Sequence, residues 1–317
     1  MTPPQAGTPR FAAIDIGTNS VLLLVAEAQG GRLVPVWDQA VITRLGRGVD
    51  AARRLDPDAV RRTLDCLGAY AKELERAEAQ SLAVVGTSAL RDAEGSEAFL
   101  AQAERLLGTR PRILSGSEEA ELSFRGAVSG LHFVGSATVF DVGGGSTEII
   151  AGNVDVGSAL VKCKESIDIG AVRLHERYVR RDPISLEELV ALRKEIRRCL
   201  PDVKPYRNST VIGVAGTVTT LFAMARQLEP YDGARVHGAT LSRSEVEHWL
   251  FALQQKNLDE RRLIPGLEPR RADVILAGAA IVLEIFDWLE LDSISVSDRG
   301  LRWGLVEKVA ALASTDR

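Results

Sequence analysis

The segment Phe140-Asp141-Val142-Gly143-Gly144-Gly145-Ser146-Thr147-Glu148-Ile149-Ile150 carries the clearest local pattern in the chain. A β-rich run ends at Asp141, and a second β-rich run follows the glycines. Because glycine lacks a Cβ, the N–H groups of such a turn can approach a bulky anion. Asp141 can bind a divalent cation, which prefers oxygen ligands. Glu148 lies two positions past Ser146 on the second strand, so both side chains point to one face. The stretch predicts a phosphate-binding hairpin beside a metal ion.

The same pattern occurs earlier in the chain. Residues 15–20 (Asp-Ile-Gly-Thr-Asn-Ser) align with residues 141–146, and β-rich segments flank both. A predicted strand ending in Gly-Thr follows each hairpin, at residues 83–87 and at residues 211–217. A plain glycine turn would need neither the aspartate nor the hydroxyl groups. The repetition therefore indicates two similar halves, each with a phosphate-type hairpin near its start, and a ligand cleft between the copies.

Six motifs extend this pattern over nearly the whole chain, at residues 13–20, 86–91, 115–120, 141–148, 213–217 and 297–302. In this order they resemble the exopolyphosphatase/guanosine pentaphosphate phosphatase family of the actin, sugar kinase and Hsp70 superfamily. The resemblance implies an α/β fold of two ribonuclease H-like (actin-like ATPase) domains. Each would be one copy of a duplicated βββαβαβα unit, with the active site in the inter-domain cleft. The expected domains are residues 1–130, with the C-terminal helix 300–317 packing back on them, and residues 131–299.

Local signals predict the elements of both halves. Strands are expected at residues 11–16, 21–26, 33–42, 81–86, 111–114, 137–141, 146–153, 159–168, 209–214 and 294–296. Helix N-caps are expected at Asp56, Ser96, Ser185 and Ser242, and the last two form capping boxes with Glu188 and Glu245. A helix stopping at Gly108 and another starting near Thr217 are predicted, and Pro269 is expected to open a long buried helix.

Composition limits the function classes. The net charge of −4 argues against general binding of nucleic acid. The three cysteines are far apart, which excludes a cysteine zinc site and fits reduced thiols of a cytoplasmic protein. The N-terminal residues show no signal-peptide pattern, and the longest apolar run, residues 274–283, is too short to span a bilayer. No membrane association is therefore expected, whereas the oligomeric state, including a homodimer, stays open.

Glu119 is the candidate general base. Phosphoanhydride hydrolysis needs positioning, charge neutralisation and a group that orients water. Glu118 and Glu119 begin a predicted helix, where acids are also favoured simply by the electrostatics of the helix N-terminus. From the residues alone the two interpretations are balanced. The motif match assigns Glu119 to the family's catalytic glutamate and leaves Glu118 with the electrostatic role.

Three carboxylates are candidates for a Mg²⁺ (or Mn²⁺) site: Asp15, Asp141 and Glu148. Without a cation, three acids in a phosphate site would repel the substrate. A purely structural role, in which the aspartates accept bonds from turn amides, is open for one of the two aspartates.

Phosphate-binding groups are predicted at Asn19, Ser20, Arg91, Gly143, Gly144, Gly145, Ser146, Gly216 and Thr217. Arg91 is the predicted bidentate clamp, and its alternative role is an ion pair with Asp92 or Glu94.

Several further residues match positions of the family without an assigned role, and two residues depart from the family's pattern. Arg44, Arg173 and His237 fall on such positions, and Arg299 and Arg302 are expected either to line the cleft or to fix the last helix to the second domain. Leu22 stands where the family usually has a basic residue, and Trp303 where it usually has an acid. The sequence ends at Arg317, which predicts the short form without C-terminal helical domains and puts processivity on long chains in doubt.

The expected function is Mg²⁺-dependent exopolyphosphatase activity on inorganic polyphosphate. The alternative is a guanosine pentaphosphate (pppGpp) 5′-phosphohydrolase that uses the same site. A kinase of the same superfamily fits the hairpins but not Glu119. A non-enzymatic alarmone-binding or filament-forming module would not need the four acidic residues Asp15, Glu119, Asp141 and Glu148.

Overall fold

The computed structural model describes residues 8–315, which form two compact units. Unit 1 contains the chain up to Gly126 together with the chain from Leu301 onward, and unit 2 is Ala127–Gly300. The domain limits expected at residues 130 and 300 stay a prediction. Residues 1–7 and 316–317, which the sequence assigned to the first domain, lie outside the described residues.

Unit 1 is built on a five-stranded sheet. Its strands are β1 (Arg10–Ile16), β2 (Ser20–Gln29), β3 (Arg32–Ile42), β4 (Ser81–Gly86) and β5 (Arg112–Ile113). Their order is β3-β2-β1-β4-β5, with β1–β3 an antiparallel meander and β4 and β5 added in parallel. This mixed sheet matches the predicted ribonuclease H-like unit. Parallel pairing of β1 with β4 brings the loops after both strands to the same edge of the sheet.

Helices α1 (Val49–Ala52) and α2 (Pro57–Ala77) lie between β3 and β4, helices α3 (Ser88–Asp92) and α4 (Glu97–Leu107) lie between β4 and β5, and α5 (Gly116–Val128) follows β5. Asp56 caps α2 as predicted, since its Oδ1 accepts from Ala59 N at 2.8 Å. Ser96 is the N-cap residue of α4 as predicted, but the expected side-chain cap is not formed. Ser96 has helical dihedrals (φ −64°, ψ −8°), and its side chain makes no capping bond, because a capping side chain requires an extended backbone at that position.

The core of unit 1 lies on both faces of the sheet. Along β1, Ala12, Ile14 and Ile16 face one cluster, and Phe11 and Ala13 face the other, as the two-residue period of a strand requires. The second cluster includes Trp303 of the C-terminal helix (Leu301–Thr315), which is only 2% exposed. Trp303 therefore makes an apolar core contact at the position where the resemblance implied an acid.

Unit 2 repeats the arrangement with one more strand. Its strands are β6 (Gly135–Val142), β7 (Thr147–Asp155), β8 (Ser158–Ile167), β9 (Thr210–Val214), β10 (Ala239–Ser242) and β11 (Ser293–Val296). The order is β10-β11-β9-β6-β7-β8. Strands β6–β8 form the antiparallel meander, β9 and β11 follow in parallel, and β10 adds an antiparallel edge. The edge strand β10 was not predicted, because its four residues are too short to show a periodic pattern.

The helices of unit 2 are α6 (Ala171–Tyr178), α7 (Leu186–Cys199), α8 (Ala215–Arg226), α9 (Gly233–Val236), α10 (Arg243–Gln255), α11 (Leu258–Arg261) and α12 (Ile275–Leu289). Short 3₁₀ turns occur at Lys204–Tyr206 and Pro269–Arg271. The capping boxes at Ser185 and Ser242 are confirmed. None of the helices in residues 8–315 combines the length and the apolar character needed to cross a bilayer.

Two helix starts differ from the prediction. Helix α8 begins at Ala215, two residues before Thr217. Pro269 does not open the long buried helix, because it starts a 3₁₀ turn and α12 begins only at Ile275. The amides of Arg271 and Val274 donate to carbonyls three residues back, at 2.8 and 3.1 Å, which is 3₁₀ spacing.

Candidate active site

The two predicted hairpin loops have the same geometry. Gly17 N donates to Ser20 O at 3.0 Å, and Gly143 N donates to Ser146 O at 3.1 Å. A Cβ added to Gly17 would lie 2.9 Å from Ser20 O, and a Cβ added to Gly143 would lie 3.0 Å from Ser146 O. Real Cβ atoms essentially never come closer than 3.0 Å to another atom, so the first turn requires glycine, and at 3.0 Å the second turn strongly favours it because the crowding atom belongs to the backbone. The duplication seen in the sequence is therefore also a repetition of local structure.

Main-chain amides bind the carbonyl groups of both loops. In unit 1, Gly46 N donates to Thr18 O at 2.8 Å and Arg44 N donates to Asn19 O at 2.9 Å. In unit 2, Val172 N donates to Gly144 O at 2.9 Å. In a trans peptide the C=O and the N–H that follows it point in opposite directions. Each loop therefore turns its carbonyls towards its own unit and its amides away, as a phosphate-binding loop requires.

The carboxylates differ between the two hairpins. Asp141 is paired directly with Glu148 across β6 and β7, whereas Asp15 is paired with Leu22 across β1 and β2. Directly opposite residues have Cβ atoms about 4.5–5.5 Å apart and share one face of the sheet. The exposed fractions are 9% for Asp141 and 1% for Glu148, and Ser166 Oγ donates to Glu148 Oε1 at 2.7 Å. Unit 2 thus holds two neighbouring buried acids.

This donor set fits a hard divalent cation. Two buried carboxylates on neighbouring strands repel one another, and a cation with oxygen ligands compensates their charge. Within residues 8–315 there is no group of three or more His, Cys, Asp or Glu side chains placed to bind one metal ion. The assignment of Asp15, Asp141 and Glu148 to a single metal site therefore stays a prediction.

Glu119 is held by the arginine predicted as the substrate clamp. Arg91 Nη1 donates to Glu119 Oε2 at 3.1 Å and to Leu114 O at 2.9 Å. The side chain of Glu119 is 11% exposed and that of Arg91 is 26% exposed. The ion pair fixes the carboxylate and still leaves part of the guanidinium accessible to a ligand. The sequence identified both residues but not their contact, because 28 positions separate them.

Glu118 has a different environment from its neighbour. Glu118 N donates to Ser115 Oγ at 3.2 Å, and Ser115 N donates to Glu118 Oε2 at 3.0 Å. These reciprocal bonds form a capping box at the start of α5. The bonds from the Ser115 amide, Arg112 and the Ser115 hydroxyl lower the pKa of Glu118 to about 2. Glu118 therefore stabilises the helix start, and the Ser-x-x-Glu spacing could have revealed this from the sequence.

We expect Glu118→Gln to weaken the fold in a pH-dependent way. The folded-state pKa is lowered from 4.5 to about 2, so the carboxylate stabilises the protein above pH 4.5 and loses this effect as the pH falls towards 2. The side chain is 46% exposed, so we expect a loss of only about 0.5–1 kcal/mol at pH 7. Urea unfolding of both proteins at pH 7 and near pH 2.5 measures this difference. A difference that does not shrink in acid would contradict the assignment.

The remaining predicted phosphate groups lie at the same sheet edges as the loops. Arg91 follows β4, which pairs in parallel with β1, so it shares an edge with Asn19 and Ser20. Gly216 and Thr217 follow β9, which pairs in parallel with β6, so they share an edge with residues 143–146. Each unit thus gathers its own predicted ligand groups at the carboxyl end of its parallel strands, where α/β proteins usually bind ligands.

Sequence reasoning missed one arginine at this edge of unit 2. A Cβ on Gly216 would lie 2.1 Å from Arg271 Nη1, so the guanidinium lies directly against the first turn of α8. No sequence signal links Arg271 to Gly216, because they are distant in the chain and Arg271 lies in the 3₁₀ turn.

The two C-terminal arginines have separate partners. Arg302 forms a bidentate pair with Asp38 of β3, at 2.8 and 3.0 Å, within unit 1. The two roles expected for Arg302, lining the cleft or fixing the last helix to the second domain, both stay predictions. Arg299 donates to Ser129 Oγ at 3.2 Å within unit 2.

Gly170→Ala is expected to impair the glycine loop of unit 2. A Cβ at Gly170 would lie 2.5 Å from the carbonyl group of Gly144 and 2.6 Å from Gly145 C, so the backbone of the loop must move. We expect kcat/KM for phosphate release to fall about tenfold or more and stability to fall by about 1–3 kcal/mol. Gly68→Ala is the matched control. Its Cβ meets nothing closer than 4.0 Å, and alanine favours the interior of α2. Equal activity of the two variants would show that the loop tolerates displacement.

Comparisons with known proteins agree with this geometry. The model of the Ppx/GppA phosphatase family matches residues 24–311. Exopolyphosphatase 2 of Mycobacterium tuberculosis is 38% identical, over 95% of this chain and 98% of that protein. The guanosine-5′-triphosphate,3′-diphosphate pyrophosphatase of Photobacterium profundum is 29% identical over 94% of this chain, which spans 59% of that longer protein. The solved structure of the Aquifex aeolicus PPX-GPPA enzyme aligns with a TM-score of 0.79 and 32% identity, covering 95% of this chain and 99% of that one.

Proposed function

Because the chain belongs to the Ppx/GppA phosphatase family, we propose that it is a Mg²⁺-dependent exopolyphosphatase. It would hydrolyse the terminal phosphoanhydride of inorganic polyphosphate and release orthophosphate. One observation carries the proposal: the glycine loop of unit 2 adjoins two buried carboxylates, Asp141 and Glu148. Amide donors suit phosphate oxygens and paired carboxylates suit a divalent cation, so the combination suits a polyanion that binds together with a metal.

In the proposed reaction Glu119 orients water and accepts its proton. The water oxygen forms a bond to the terminal phosphorus, and the bond from this phosphorus to the bridging oxygen breaks. The shortened chain leaves with the bridging oxygen, and the proton passes from Glu119 to solvent. The ion pair with Arg91, at 3.1 Å, keeps the Glu119 carboxylate in one orientation. An oriented base of this kind contributes about 10²- to 10⁴-fold to the rate.

The phosphate oxygens would be bound by donors from both hairpin loops and from Arg91. The proposed set is Asn19, Ser20, Arg91, Gly143, Gly144, Gly145, Ser146, Gly216 and Thr217. Asp15, Asp141 and Glu148 would hold Mg²⁺, directly or through water. When bound, the ion neutralises negative charge on the substrate and on these acids. The support for the metal is the pair of buried carboxylates described above.

A second candidate is the 5′-phosphohydrolase of guanosine pentaphosphate. Relatives such as the Photobacterium profundum enzyme are named for hydrolysis of this nucleotide. The same groups would act on its terminal phosphate. The guanidinium group of Arg271 lies against Gly216 and places a positive charge at the sheet edge that carries the predicted ligand groups of unit 2.

A phosphate-release assay distinguishes these functions. The purified protein is incubated with Mg²⁺ and polyphosphates of several lengths, guanosine pentaphosphate or ATP. We expect the highest kcat/KM with polyphosphate. A higher value with guanosine pentaphosphate would favour the second candidate, and release from none of them would overturn the proposal.

Location and assembly belong to the same proposal. A cytoplasmic protein is supported by three free thiols, at Cys66, Cys163 and Cys199. A homodimer is the proposed assembly, and light scattering after size-exclusion chromatography tests it. A mass near 34.3 kDa would identify a monomer.

A further inference from the structure

Helix α6 binds every carbonyl of the glycine loop in unit 2. Ala171 N donates to Gly143 O and Val172 N donates to Gly144 O, both at 2.9 Å. The third carbonyl, Gly145 O, accepts a 2.6 Å bond from Arg173 Nε. Arg173 is 6% exposed. Two backbone amides and one buried side chain thus bind the three glycine carbonyls of the loop.

These bonds set the direction of the loop amides. Each bound carbonyl belongs to a peptide plane whose N–H points the opposite way. In the part of the chain that the structure describes, the amides of Gly144 and Gly145 donate to no protein acceptor. They are available to an anion. The bond from Arg173 fixes the third plane and so directs the amide of Ser146 to the same side.

In the loop of unit 1, the corresponding third carbonyl is bound without a side-chain donor. Asn19 aligns with Gly145, and its carbonyl accepts from Thr43 N at 3.1 Å and Arg44 N at 2.9 Å. Both donors are main-chain amides, which any residue except proline supplies at those positions. The loop in unit 2 depends instead on one guanidinium, so a single substitution can release its last carbonyl.

We propose that Arg173 is a positioning residue for phosphate binding by the loop of residues 143–146. It acts through the Gly145 carbonyl and turns the loop amides towards the phosphate groups of a polyanion. The inference rests on the proposed function only in taking phosphate as the ligand. The guanidinium contributes mainly as a hydrogen-bond donor from the loop's inner side, and its charge is secondary.

Two substitutions separate the hydrogen bond from the charge. In Arg173→Gln the amide nitrogen occupies the same place along the side chain as Nε, so a donor remains and the charge is lost. In Arg173→Met a carbon occupies that place, so donor and charge are both lost, while the side chain is as long as that of the Gln variant. Arg177→Ala removes an exposed arginine from the last turn of the same helix and serves as the control.

Activity on polyphosphate is the first measurement. For Arg173→Met we expect KM to rise about 10- to 100-fold, with a smaller change in kcat, the range for a buried carbonyl that loses its hydrogen-bond donor. Arg173→Gln should stay within about threefold of the wild type, as should Arg177→Ala. Equal impairment of the Gln and Met variants would show that the charge matters and would overturn the inference. Circular dichroism and thermal unfolding check that each variant folds.

A second measurement does not depend on catalysis. Tripolyphosphate is titrated into protein labelled with ¹⁵N-glycine, and the amide signals of Gly144 and Gly145 are followed. We expect large shifts in the wild type and in Arg173→Gln, and weaker binding in Arg173→Met. Shifts without phosphate release would mean that the proposed function fails and the inference stands. Absence of shifts in the wild type, or identical binding by Arg173→Met, would overturn the inference.

Discussion

Glu119→Gln is expected to lower kcat by about 10²- to 10⁴-fold without unfolding the protein, which is the usual range for loss of a general base. Glutamine keeps the size of the side chain and can still accept a bond from Arg91, but it cannot take a proton from water. The side chain is only 11% exposed and is fixed by the 3.1 Å ion pair, so no other orientation readily replaces it. Phosphate release under saturating polyphosphate measures the effect.

Glu118→Gln is the matched control, one residue away on the same helix. Its carboxylate is engaged in the capping box with Ser115, so we expect a small loss of stability and nearly unchanged kcat. The two variants thus separate catalysis from helix stability. If Glu119→Gln keeps more than about a tenth of the activity, Glu119 is not the base, and Glu148 becomes the next candidate.

Removal of divalent cations is expected to have an effect of similar size. Asp141 and Glu148 are buried neighbours, and a polyanion brought to them without a cation meets charge of the same sign. EDTA should therefore reduce phosphate release by about 10²-fold or more, and added Mg²⁺ or Mn²⁺ should restore it. Full activity in excess chelator would rule out a required metal ion.

Asp141→Asn tests which residues bind the ion. The amide keeps the shape of the side chain but loses its charge, so we expect the Mg²⁺ concentration for half-maximal activity to rise about tenfold or more. Isothermal titration of Mg²⁺ into the protein gives a readout independent of turnover. Asp155→Asn, at the exposed far end of β7, is the control. Equal Mg²⁺ requirements in the two variants would remove Asp141 from the metal site.

Sequence alone determined the features that depend on neighbours in the chain. The two Asp-containing loops, the glycine at Gly143 and the capping boxes at Ser185 and Ser242 follow from spacing within a few residues. Strand boundaries were predicted to within a few residues, because alternation of apolar side chains is also a local pattern. The resemblance of six ordered motifs added the two-unit fold and the prediction that Glu119 is the general base.

Contacts between segments that are distant in the chain became known from the three-dimensional packing. The pairing of Arg91 with Glu119 and the bond from Arg173 to Gly145 join residues 28 positions apart in the chain, through the pairing of strands and the packing of helices. Local rules likewise failed at Ser96 and Pro269, where the surrounding structure selected helical dihedrals and a 3₁₀ turn. A local sequence pattern identifies the candidate functional groups. Long-range packing determines which of these groups come into contact, because the same local pattern is compatible with many partners elsewhere in the chain.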